Sequence, residues 1–216
     1  METTTINYTP GKSIAAEHYK PKGTPNGGAV IVAYGSDGMK EPWATMIREY
    51  AAELSQRNYN VLIPDYLPSA ATTPREQVFA QIPGKLPLWQ TAIDATINFA
   101  ATPRVALLGF SLGGHLCLRL RHRAKVLVEF FAPELIGIGA AATPVPHAQI
   151  HHGEADELVV YANAIRIEKQ LKAEGTLVEL CSYPGAVHGF PVSDPNSLAA
   201  SHTAKSRTVA FIAKHL

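Results

Sequence analysis

The sequence predicts an α/β fold with a mostly parallel central sheet and helices on both faces. Three observations predict it. Apolar runs of strand length, such as Ala29–Ala33 and Val126–Ala132, alternate along the chain with segments of helical periodicity. Alternation of that kind builds a parallel sheet covered on both sides. The chain's 216 residues, 46% of them hydrophobic, are enough for one such unit spanning 1–216, with a core that needs no disulfide or metal.

Each element follows from its residues. Thr3–Tyr8 and Ser13–Tyr19 alternate around Thr9-Pro10-Gly11 and predict an edge hairpin. The Pro- and Gly-rich stretch 21–28 then feeds the first strong strand, Ala29–Tyr34. Trp43, Met46, Ile47, Tyr50 and Leu54 recur at helical spacing behind Pro42, a residue suited to a first turn. Asn60–Ile63 is a short strand ending at Pro64-Asp65. Trp89, Ile93, Ile97 and Ala100 mark a second helix, Arg104–Phe110 a buried strand, and Leu112–Arg121 a third helix. Lys125–Phe131 and His147–His152 are strands. Leu158–Glu174 is a helix stopped by Gly175, Leu177–Tyr183 a strand, and Ser197–Leu216 the last helix. Two stretches break the rhythm, Leu67–Leu88 with four prolines and Ala132–Pro146 with three. Loops of that length serve as site walls or lids, or are mere excursions.

Composition excludes several classes. Nineteen basic and eighteen acidic residues leave a net charge of +1, no electrostatic case for nucleic acid or an anionic membrane surface. No apolar run approaches the length of a membrane span. The opening residues have neither a basic nor an apolar region of a secretory signal, and Cys117 and Cys181 lack CxxC spacing. The expectation is a cytoplasmic protein with two reduced thiols, monomer or homodimer.

The segment Val105-Ala106-Leu107-Leu108-Gly109-Phe110-Ser111-Leu112-Gly113-Gly114-His115 contains G-x-S-x-G between a buried strand and a helix. A strand-to-helix turn this tight strains its central residue, and side chains two residues to either side would collide with neighbouring backbone. The strain lifts Ser111 clear of the sheet edge, and the Leu112 amide faces any oxyanion formed there. A serine hydroxyl needs a base, and the base an orienting acid. His152-Gly153-Glu154-Ala155-Asp156-Glu157 and Tyr183-Pro184-Gly185-Ala186-Val187-His188 each follow a strand, where sites in parallel sheets gather. Asp156 is the candidate acid, with Glu154 and Glu157 as alternatives. His188 is the candidate base, with His152 the rival. The other seven histidines sit in mostly polar or helical contexts and read as solvated.

These residues resemble the dienelactone hydrolase family of the α/β-hydrolase fold over nearly the whole chain. The resemblance rests on Tyr34-Gly35-Ser36-Asp37-Gly38, Pro64-Asp65-Tyr66, Gly109-Phe110-Ser111-Leu112-Gly113-Gly114, Gly153-Glu154-Ala155-Asp156 and His188-Gly189-Phe190. It implies Ser111 as nucleophile, Asp156 as acid, His188 as base and the Ser36 amide as second oxyanion donor, with no cofactor. Two departures accompany it. The family's namesakes use a cysteine nucleophile and a glutamate in the oxyanion loop, where this chain has Ser111 and Gly35. An arginine that holds a substrate carboxylate follows the histidine in the family, where this chain reads Phe190-Pro191-Val192; Arg75 is a possible replacement. The resemblance therefore implies a serine hydrolase of small carboxylic esters or lactones. A dienelactone hydrolase proper, a thioesterase or short-peptide hydrolase on the same triad, and a non-catalytic binding protein are the alternatives.

Other motifs carry less. Gly11-Lys12-Ser13 imitates the end of a phosphate loop without its first glycine. Gly137-Ile138-Gly139-Ala140-Ala141-Ala142 runs into Thr143-Pro144-Val145-Pro146, which cannot open a helix. His147, His151, His152 and Asp156 could be imagined as a metal site, but His151 and His152 point to opposite sides of one strand.

Overall fold

The computed structural model describes residues 1–68 and 73–216. Its eight strands form one sheet: β1 Glu2–Thr9, β2 Lys12–Tyr19, β3 Ala29–Ala33, β4 Asn60–Pro64, β5 Val105–Phe110, β6 Val126–Phe130, β7 His147–Gly153 and β8 Leu177–Tyr183. Their order is β1-β2-β4-β3-β5-β6-β7-β8. The hairpin β1–β2 lies antiparallel at one edge, and every pairing from β4 to β8 is parallel. The α-helices among the described residues are α1 Trp43–Gln56, α2 Arg75–Phe99, α3 Leu112–Arg119 and α4 Ala162–Ala173 between strands, and α5 Pro195–His215 after the last.

The core follows from the apolar runs. Every residue of β3, β5 and β6 is buried, because a strand covered on both faces has no solvent side. Each fully buried Val, Leu or Ile in them contributes about 1.5–3 kcal/mol over an exposed one. Phe110 and Phe130 stack at 4.8 Å between ring centroids, and Tyr50 of α1 meets both rings edge-on. Packing of α1 against α5 and of α2 against α3 completes the two outer layers.

Chain order fixes where a site can form. From β3 the chain passes through α1 to β4 on one side, then returns through α2 to β5 on the other. The carboxyl ends of β3 and β5 therefore flank a switch point, where a crevice opens.

Two readings are corrected. The stretch 67–88 is not one long loop. α2 begins at Arg75, and Pro83 and Pro87 lie inside it. Proline usually marks a break, since it lacks the N–H of the helical ladder. Here Val78, Ile82, Leu86 and Trp89 keep one buried face through both prolines, and that packing overrides local propensity. Residues 69–72 of the stretch lie outside the described residues. Secondly, His115 and His151 are not solvated but fully buried. Nδ1 of His115 meets the Pro133 carbonyl at 3.0 Å, and His151 bonds Tyr183 Oη and Gln149 Oε1, each at 2.8 Å.

The segment 132–146 remains irregular but is fastened from beneath. Arg121, 1% exposed, sends Nη1 to the carbonyls of Leu118 and Ile138, at 2.7 and 2.9 Å. Nη2 reaches the Gly139 carbonyl at 2.6 Å, and Nε and Nη2 grip the Glu174 carboxylate. Gln170 adds a second bond to Gly139, and Arg119 one to the Gly137 carbonyl. Among the described residues, no helix is long and apolar enough to cross a membrane.

Candidate active site

Ser111 sits between β5 and α3 with φ 51° and ψ −118°, in the left-handed half of backbone space that a serine rarely occupies. The surroundings hold it there. Its amide donates to the Phe130 carbonyl at 2.9 Å, and its own carbonyl accepts from the His115 amide. The flanking glycines are steric necessities. A Cβ on Gly113 would overlap the carbonyl oxygens of Ala33 and Tyr34, and one on Gly109 would lie 2.5 Å from the Gly113 oxygen. α3 thus approaches the end of β3 more closely than any side chain permits.

The loops after β7 and β8 bring two further groups to this point. His188 Nε2 lies 3.2 Å from Ser111 Oγ, and His188 Nδ1 lies 2.7 Å from Asp156 Oδ2. A carboxylate only accepts, so Nδ1 carries the hydrogen and Nε2 is left to accept from the serine hydroxyl. The other Asp156 oxygen takes the amides of Leu158 and Val159 at 3.0 and 2.8 Å. Burial alone would raise the Asp156 pKa. The His152 and His188 rings and the Val159 amide outweigh it and hold the carboxyl well below its ordinary range.

The alternatives fall away on geometry. Glu154 and Glu157 are exposed, whereas Asp156 is buried. His152 is buried with Nε2 2.7 Å from the Val159 carbonyl and 3.4 Å from Asp156 Oδ2, the oxygen that His188 approaches more closely, and it makes no hydrogen bond to Ser111. His151, on the opposite face of β7, stacks on Phe130. Among the described residues, no three His, Cys, Asp or Glu side chains group to hold a metal ion.

Ser111 and His188 open into a pocket of about 130 Å³, partly continuous with solvent. Its walls are Gly35–Gly38 after β3, Trp43, Met46 and Ile47 of α1, Arg75, Phe110, Phe131 and Gly189. A Cβ on Gly35 would stand 3.3 Å from that of Ser111, so the backbone leading to the Ser36 amide lies beside the hydroxyl. Leu112 begins α3 at the same spot. Arg75 reaches the wall, but its guanidinium is held by Asp37, with Nη2–Oδ2 at 2.5 Å and Nε–Oδ1 at 3.3 Å. Val192 is largely exposed and lines a neighbouring groove instead.

The walls differ from the sequence expectation. Among the described residues, 132–146 contribute nothing to the lining, and 67–88 contributes Arg75 from a helix. Asp37, Trp43, Met46 and Phe131 were not singled out as site residues. The signal for Asp37 and Phe131 was present, since each lies just beyond a strand's carboxyl end. Trp43 and Met46 gave none, because their spacing also fits a helix turned wholly to the core.

Comparison with solved structures agrees with this architecture. A dienelactone hydrolase-like promiscuous phosphotriesterase from metagenomic libraries superposes with a TM-score of 0.73 at 20% identity, over 97% of each chain. The propionate-bound thermophilic esterase Est2 from Thermogutta terrifontis gives 0.71 at 16% identity, over 97% of this chain and 93% of that one. Est1E from Butyrivibrio proteoclasticus gives 0.66 at 18%, over 98% and 99%. At such identities the likeness establishes the α/β-hydrolase fold. The sequence itself carries the relationship further: the model of the dienelactone hydrolase family matches residues 14–216, a span holding the elbow, both site loops, all of β3 to β8 and most of β2, and the chain belongs to that family.

Proposed function

We propose that this hydrolase cleaves small, uncharged carboxylic esters or lactones through an acyl-enzyme on Ser111. The observation that carries the reading is the continuous chain Ser111 Oγ, His188, Asp156, with links of 3.2 and 2.7 Å, opening into a pocket. His188 takes the hydroxyl proton as Ser111 attacks the ester carbonyl, then gives it to the departing alcohol. Asp156 keeps the ring in the required tautomer and stabilises the imidazolium. The amides of Leu112 and Ser36 are the donors to the oxyanion, each of the kind whose loss costs about 3–4 kcal/mol in comparable enzymes. Water then repeats the steps on the acyl group. The chain needs no cofactor for this, and its location in the cell is proposed to be the cytoplasm. Labelling with a fluorophosphonate tests the nucleophile directly: modification at Ser111 is expected, and an unlabelled protein would favour a binding module.

The pocket's charge selects among substrates. Among the described residues its one cation, Arg75, is neutralised by Asp37 at the same wall. A substrate carboxylate would be desolvated beside that pair at a cost of several kcal/mol. A neutral ester is therefore expected to exceed a carboxylate-bearing analogue of the same size by about a hundredfold or more in kcat/KM. The placement of Arg75 on the pocket wall favours one second reading, a dienelactone-type substrate with a free carboxylate. Preference for the charged substrate, lost in Arg75→Ala, would establish that reading instead.

Asp156→Asn and His188→Ala separate the partners' roles. His188→Ala is expected to lower kcat as far as loss of the nucleophile does, and Asp156→Asn somewhat less, because the members act as a unit. A full-activity His188→Ala variant would reassign the base.

A further inference from the structure

The pocket at Ser111 has a larger neighbour. A groove of about 330 Å³ lies between α1 and α5, against about 130 Å³ for the pocket itself. Tyr50, Phe190, Pro191, Val192 and Leu198 give the groove an apolar lining. Among the described residues, Trp43 and Met46 line both cavities. They stand three residues apart on one face of α1. What divides pocket from groove is therefore thin: one indole and one thioether.

The indole is wedged against the loop that carries His188. Gly189 has φ 80°, and a Cβ on it would lie 2.7 Å from Trp43 Cη2 and 3.0 Å from Cζ3. The six-membered ring thus packs directly on the Gly189 backbone and cannot move toward it. Trp43 is only half-buried, whereas Met46 packs against the central core. The indole closes the pocket without holding up the sheet.

The pocket is small. Cavities that enclose drug-sized ligands begin at roughly 300 Å³. An ester has two arms, acyl and alcohol, and the pocket is open to solvent on one side. One arm can extend into water, and the other must end at the partition.

We infer that Trp43 is a specificity-determining residue that sets the length of the enclosed arm, and that the substrates are esters with one short arm. The inference rests on the reading of Ser111 as nucleophile. Without the indole, pocket and groove join into one apolar channel along α1, and an eight-carbon arm can lie along Phe190 and Leu198. Each further methylene removed from water is worth about fourfold in kcat/KM. The gain falls in KM, because the far end of the chain is bound alike in ground and transition states.

The test measures kcat and KM over two ester series. One varies the acyl group of p-nitrophenyl esters from acetyl to octanoyl, the other the alcohol of acetate esters from ethyl to octyl. In the wild type, one series is expected to fall by about tenfold or more in kcat/KM between four and eight carbons, through the loss of about two buried methylenes or more. In Trp43→Ala the eight-carbon member of that series recovers by a similar factor, through KM. Trp43→Leu gives a smaller gain and serves in place of the alanine variant if that one is unstable. Leu198→Trp refills the groove from α5. It is expected to cancel the gain in the Trp43→Ala background and to leave wild-type turnover of the short esters unchanged. Wild-type protein that accepts octyl arms as well as butyl arms in both series would overturn the inference. So would folded Trp43 variants with an unchanged length profile, or a gain that survives Leu198→Trp. If a fluorophosphonate still labels Ser111 in those cases, the partition alone is refuted. Absence of both labelling and turnover would sink the catalytic reading, and the inference with it.

Discussion

Ser111→Ala is expected to lower kcat for a p-nitrophenyl ester by more than about a thousandfold while the protein stays folded. Loss of a nucleophile in a hydrogen-bonded set usually costs at least that much, because the partners do nothing alone. The substitution removes one hydroxyl from an opening in the surface. It leaves intact the backbone bond to Phe130 and the close approach of α3 to β3, which hold the residue's strained geometry. Circular dichroism and the melting temperature should therefore match the wild type, and the fluorophosphonate label should vanish. Retention of more than about a thousandth of kcat in the variant would show that another group makes the attack.

The second large effect is on the fold. Gly113→Ala is expected to cost about 3 kcal/mol or more of stability, the upper end of overpacking penalties. The added methyl would overlap two carbonyl oxygens at the end of β3, which are backbone atoms and cannot rotate away. Relief requires α3 to move off the sheet, and that movement carries Ser111 and the Leu112 amide with it. Activity should fall with stability, even in molecules that remain folded. Denaturant unfolding measures the first and turnover per folded molecule the second. A variant of wild-type stability and activity would mean that the elbow is looser than its contacts imply. Gly114→Ala is a useful contrast, since its Cβ would sit 3.0 Å from the Ala132 methyl and 3.4 Å from the nearest carbonyl oxygens, a tight contact rather than an overlap.

The sequence made the strands and the site's line of chemistry legible for the same reason. Residues buried on both faces of a parallel sheet must be apolar throughout, so β3, β5 and β6 stand out, and the loops that follow strands are where reactive groups collect. Ser111 could be found because it follows such a run, β5, and Asp156 and His188 because they lie in the loops after β7 and β8. The walls of the pocket could not. Trp43 and Met46 occupy helical positions indistinguishable from core positions until the neighbouring glycine loop is placed. α2 was obscured because Pro83 and Pro87 speak locally against a helix, whereas the burial of Ile82 and Leu86 that overrides them is a long-range fact.

The buried Arg121 has a consequence for how the enzyme could diversify. Its donors are spent on three carbonyls and one carboxylate, so the segment 132–146 is ordered before any substrate arrives. A segment pinned in this way outside the pocket cannot swing in to reshape it around a new guest without breaking those bonds. Changes of substrate range should therefore accumulate on the pocket wall itself, along the first turn of α1 and the beginning of α2. There single side chains meet the pocket without holding up the sheet, and a laboratory library confined to those few positions would sample most of the accessible variation.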